Sequence, residues 1–125
     1  MQVEFILYVA DQERSARFYE TLLGQAPSLN VPGMTEFDLD ACKLGLMPEA
    51  GIARIIVGAL PHPASATGIP RCELYLLVDD LDAAIRNAGK AGARIVSPAA
   101  NRDWGHRAAY YADPDAHVIA LARVL

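Results

Sequence analysis

Cysteine is scarce in this chain: Cys42 and Cys72 are the only two among 125 residues. They lie thirty positions apart, outside any metal-type spacing, and read as reduced thiols packed in strands. Positive charge is not in excess. Eleven Lys and Arg face fifteen Asp and Glu, a formal net charge of −4. That argues against nucleic acid, whose phosphates require a basic face. No apolar run approaches the length of a membrane span; the best, "IARIIVGAL", is short and carries Arg54. The N-terminus lacks a basic segment followed by a long apolar core, so no signal peptide is expected and the reading is cytoplasmic. Trp104 is the single tryptophan.

What is present suits one soluble globular domain. Hydrophobic residues make up 53% and charged residues 21%, enough for a sizeable core over residues 1–125. A repeat organises the chain. "EFILYVADQERSA" from Glu4 and "ELYLLVDDLDAAI" from Glu73 align at an offset of 69. Glu4, Leu7, Val9 and Asp11 then match Glu73, Leu76, Val78 and Asp80. "DACKLGLM" from Asp40 and "DAHVIALA" from Asp115 align at an offset of 75. In each half an Asp is placed to cap a helix, and Gly24 or Gly92 is placed to end it.

Each half therefore reads as strand, helix and three strands. The first half predicts strands near 3–10, 26–31, 34–39 and 42–47 and a helix near 11–23. The second predicts strands near 72–79, 93–97, 107–112 and 117–123 and a helix near 80–91. The modules are 1–47 and 72–125. The stretch 48–71 holds four of the eight prolines and reads as a linker with one short ordered piece around Ile52 to Leu60. "ADPDAH" reads as a hairpin turn with Pro114 fixing φ inside it.

Three segments carry a resemblance: "LYVADQERSARFYETLLG", "ELYLLVDDLDAAIRNAGKAGA" and "WGHRAAYYADPDAHVIALA". In this order, over nearly the whole chain, the pattern resembles the vicinal oxygen chelate superfamily of glyoxalase I, extradiol dioxygenases and bleomycin-binding resistance proteins. The resemblance implies an α+β fold, two tandem βαβββ modules forming a curled mixed sheet around a cleft. It also implies a homodimer with clefts built from both chains, and a small-molecule ligand. Fold does not fix chemistry, so the site must decide.

Alternation assigns faces. Phe5, Leu7, Val9, Leu74, Leu76 and Val78 are expected to pack on the helices, as are Leu44, Leu46, Ile119 and Leu121. Glu4, Ile6, Tyr8, Glu73, Tyr75 and Leu77 are left for the cleft, with Lys43, Gly45, Met47, Val118, Ala120 and Ala122. The resemblance places metal ligands of metal-dependent members at Glu4, Gly45, Glu73 and Ala120. Gly45 and Ala120 cannot ligate, and a catalytic divalent site generally needs three protein ligands. No cofactor and no metal are therefore expected; a divalent ion, if held, would sit on Glu4 and Glu73. His106 or His117 is available as a third ligand, though each reads first as a surface or turn histidine.

Two close carboxylates favour holding a proton between them, which suits acid–base work. Neutralisation by Lys43, Arg71 or Arg107 in a buried network is the plainer alternative. Trp104 and His106, in "NRDWGHR", sit near the cleft mouth. An aromatic beside polar donors often builds a ligand pocket. Relatives often place Gly where Ala116 stands, a position favouring positive φ. The expected site is a ligand-binding cleft of Glu4, Tyr8, Lys43, Glu73, Tyr75, Trp104 and His106. The first reading is a metal-free binder of a toxin or antibiotic-like molecule. The alternative is a metal-dependent glyoxalase-type lyase or isomerase.

Overall fold

The computed structural model describes residues 1–66 and 68–125. Asp11 caps α1 (Gln12–Leu23), its carboxylate accepting from the Arg14 amide at 2.9 Å. Asp80 does the same for α3 (Leu81–Lys90), accepting from the Ala83 amide at 2.9 Å. The repeat is thus carried by the physics of helix starts. Gly24 ends α1 in the left-handed region at φ 66, where a glycine pays no steric penalty. Asp11→Ala is expected to cost about 1 kcal/mol, read as a lower urea midpoint with an unchanged slope.

The first module adds β1 (Glu4–Val9), β2 (Leu29–Val31), β3 (Met34–Asp38) and β4 (Lys43–Pro48), in sheet order β1-β4-β3-β2. The second adds β5 (Glu73–Leu77), β6 (Arg94–Asn101), β7 (His106–Ala112) and β8 (Val118–Val124), in sheet order β5-β8-β7-β6. In each sheet the first strand runs parallel to the last and lies at an edge. The architecture is α+β, with two tandem modules that keep separate four-stranded sheets.

The core runs unbroken through both modules. Leu7, Val9, Tyr19, Phe37, Leu44 and Leu46 meet Leu81, Ala88, Ile119 and Leu121 in one buried cluster. Helices α1 and α3 pack against each other, so the helix-covered faces of the sheets share this core. The opposite faces look outward. Phe5 departs from its expected packing: it is 53% exposed. It lies near the free start of edge strand β1 and lines cavities rather than the helix-covered core.

Three boundaries moved for identifiable reasons. The expected linker contains a helix, α2 (Glu49–Ile56), that leaves β4 without a turn. Pro48 is both the last residue of the strand and the helix cap, and it offers no side-chain capping bond. A 3-10 turn follows at Pro63–Ala66. Strand β6 extends past the expected 93–97 through Pro98, because register shifts at Ser97 let an edge strand accept a proline. Among the described residues, no helix is long and apolar enough to cross a membrane.

Candidate functional site

On the outward face of the first sheet, strand register aligns Glu4 with Lys43, and Ile6 with Gly45 and Glu36. Lys43 donates to Glu36 at 3.0 Å, not to Glu4. That hydrogen bond and the Glu36 charge hold the Lys43 ammonium above its ordinary range. Lys43, one of the three neutralising partners expected for the Glu pair, is therefore engaged elsewhere. Glu36 belongs to this face and was not singled out by sequence, because its side depends on the β3–β4 register. Tyr8 is 40% exposed, two residues further along β1.

The second sheet gathers more of the expected residues. Trp104 donates its indole N–H to the Tyr75 hydroxyl at 3.1 Å, and that hydroxyl lies 2.9 Å from His106 Nδ1. Register brings a second tyrosine alongside. Tyr75 pairs with Ala120, which pairs with Tyr110. Ala120 and Ala122 are fully buried on this outward face, Ala120 lying between the two tyrosines. Arg102 lies with its guanidinium carbon 5.2 Å from the Tyr110 ring centre. It donates to Ser97 Oγ and to the carbonyls of Pro98 and Ala108. Its Nε is buried without a partner among the described residues. Burial pushes the Tyr110 hydroxyl pKa up, helped by the charge of Glu73.

Glu4 and Glu73 are both exposed, and neither has a hydrogen-bond or ion-pair partner among the described residues. Among the described residues, no hydrogen bond or ion pair links one outward face to the other. The seven expected site residues thus divide: Glu4, Tyr8 and Lys43 on one sheet; Glu73, Tyr75, Trp104 and His106 at the other. Within one chain each sheet presents its own half.

The residues do not fit a four-ligand metal centre at the positions the fold implies. At Gly45 an added Cβ would lie 2.7 Å from Glu4 Oε1 and 3.0 Å from Ile6 Cγ1. The Glu4 carboxylate already fills the space that a ligand from position 45 would need. Ala120 has no ligating atom and is buried.

A second polar cluster forms at the β7–β8 turn and locks the modules together. Tyr19 donates to Asp113 Oδ2 at 2.8 Å, across 94 positions of sequence. His117 Nδ1 lies 2.8 Å from the same oxygen, and the amides of Asp115 and His117 donate to Oδ1. Burial opposes a charged Asp113, but its bonds to His117 and Tyr19 outweigh that and hold its pKa below the ordinary value. Burial likewise opposes a charged His117, yet the hydrogen bond and charge of Asp113 hold its pKa above 6.5. Burial first, then Asp113, pushes the Tyr19 hydroxyl well up. Asp115 accepts from the Ala10 amide and from Ser15 Oγ. Asp113, Asp115 and His117 are grouped closely enough to ligate an ion. His117 Nδ1 and both Asp113 oxygens already bond within the fold. His117 is thus a turn histidine, part-buried and bonded into the fold. Ala116 keeps the left-handed turn geometry at φ 67, a strained place for a residue with a Cβ.

The family model of the Glyoxalase/Bleomycin resistance protein/Dioxygenase superfamily matches residues 2–121. Solved structures share the fold. A glyoxalase-related enzyme from Fulvimarina pelagi superposes with a TM-score of 0.82 at 24% identity, covering 98% of this chain and 87% of that one. A glyoxalase/bleomycin resistance protein/dioxygenase family enzyme from Burkholderia phytofirmans gives 0.82 at 20% identity, covering 98% and 97%. A protein of unknown function from Agrobacterium tumefaciens gives 0.83 at 24% identity, covering 100% and 94%. No match was found among curated protein sequences.

Proposed function

The chain belongs to the glyoxalase/bleomycin resistance protein/dioxygenase superfamily, and from that premise we propose that it is a metal-free binder of small molecules. The observation that carries this reading is the Trp104–Tyr75–His106 hydrogen-bonded corner beside an unpartnered Glu73. Aromatic faces next to a free carboxylate suit a cationic, hydrogen-bond-donating ligand. The ligand lies against the second sheet and is sequestered, not turned over. It is of the toxin or antibiotic-like kind, held by a cytoplasmic homodimer. A second copy of the chain brings Glu4, Tyr8 and Lys43 over this corner, completing the cleft that one chain presents in halves. Space at Gly45 already taken by Glu4 supports binding without a metal.

Calorimetry with benzyltrimethylammonium and with phenylacetate tests the reading. The cation is expected to bind and the anion not. Trp104→Ala is expected to weaken the cation roughly three- to tenfold, the scale of one lost aromatic contact. Preference for phenylacetate would overturn the ligand class. A stoichiometric transition metal in freshly purified protein, lost in Glu73→Ala, would favour the metal-dependent lyase or isomerase instead.

A further inference from the structure

We propose that Cys42 and Cys72 form a peroxide-sensitive thiol pair that closes into a disulfide between the two modules. The cysteines are far apart in sequence, but the fold brings both to the wall of one cavity of about 100 Å³. Phe5, Leu7 and Leu44 of the first module and Leu74 and Val118 of the second make it mostly apolar. Strand parity explains why both cysteines line that cavity. Cys42 stands two residues before Leu44, and Cys72 two before Leu74, both of which turn toward the core. Each cysteine is the residue immediately before a strand, β4 or β5. Neither sulfur has a hydrogen-bond partner among the described residues, and no disulfide joins them in the structure.

Their exposure differs, and that difference orders the chemistry. Cys72 is exposed and Cys42 half-buried. The accessible thiol meets the oxidant first, and the covered one resolves it. The Cys72 thiolate attacks one oxygen of hydrogen peroxide and the O–O bond breaks. The departing oxygen leaves as water, carrying the proton the thiol lost. Cys72 is now a sulfenic acid, oxidised by two electrons. The Cys42 thiol then attacks that sulfur. The S–S bond forms, the S–O bond breaks, and the hydroxyl leaves as water with the Cys42 proton. A disulfide needs Cα atoms within about 7 Å, a separation that Cys42 and Cys72 must reach across the cavity they both line.

The test is stoichiometric hydrogen peroxide on the intact protein. The free-thiol titre is expected to fall from two to zero and the intact mass to drop by two hydrogens. A non-reducing peptide map should join the Cys42 and Cys72 peptides of one chain, and dithiothreitol should reverse it. In Cys42→Ser a sulfenic acid on Cys72 should persist and be trapped by dimedone. In Cys72→Ser, Cys42 should stay reduced at the same exposure. Retention of both thiols, separate over-oxidation of each, or a bond between two chains overturns the pair. Equally fast oxidation of Cys42 in Cys72→Ser overturns the assigned order.

Discussion

Asp113→Ala is expected to lower the unfolding free energy by roughly 3–5 kcal/mol, the cost of removing one partner from a buried charged pair. The Asp113 side chain is fully buried and accepts from four donors: the Tyr19 hydroxyl, His117 Nδ1 and two amides. Truncation leaves all four without that acceptor, the Tyr19 hydroxyl in a fully buried place. It also cuts the bond between α1 and the β7–β8 turn, which joins the modules. Asp113→Asn keeps one acceptor oxygen and should cost less. Urea unfolding of both variants checks the ranking.

The same cluster sets a pH window. The folded Asp113 has a pKa lowered from 3.8, so its contribution is present above about 3.8 and is lost as pH falls through the folded value. The folded His117 has a pKa raised from 6.5, so its contribution is complete below about 6.5 and is lost as pH rises through the folded value. Stability should therefore decline on both sides of the interval between them. His117→Gln should abolish the alkaline decline and also shrink the acid one, because the His117 charge and hydrogen bond are chief among what lowers Asp113. A urea midpoint for His117→Gln that still falls across the alkaline side would refute the assignment.

Local signals were legible and long-range ones were not. Asp11, Asp80 and Gly24 announced helix ends because capping is decided within a few residues. The pairing of Leu44 and Leu46 with Ile119 and Leu121 in the core followed from period and repeat. Helix α2 was blurred because β4 runs into it through Pro48, with no polar cap to mark the start. "ADPDAH" was readable as a turn, yet nothing local shows that its first Asp receives a tyrosine 94 positions away. On the second sheet, Tyr75, Trp104 and His106 were legible as candidates, and their hydrogen bonds required the β5–β8–β7 register. Lys43 was legible as a cation of the first face, but its choice of Glu36 over Glu4 is a matter of cross-strand geometry.

Gly45→Ala is expected to destabilise by roughly 1–3 kcal/mol, the range for forcing an extra methyl into a filled site. Glycine is not needed at Gly45 for its backbone freedom, since its φ is not positive. It is needed because the Glu4 carboxylate, Ile6 and Met34 crowd the place where a Cβ would go. The three contacts differ in kind. Glu4 meets the new methyl with the far end of a flexible, solvent-exposed chain, at 2.7 Å. Ile6 meets it at 3.0 Å with a branched, stiff side chain on the neighbouring strand. A double-mutant cycle separates them. If Glu4 is the obstacle, Glu4→Ala with Gly45→Ala should recover most of the loss, and the cycle should show strong coupling. If Ile6 is, the two costs should add and Ile6→Ala, which removes the Cγ1 that the methyl meets, should rescue instead. The first outcome would mean that the carboxylate and the glycine act as one unit. A ligand at position 45 could then return only if Glu4 gave up its present place.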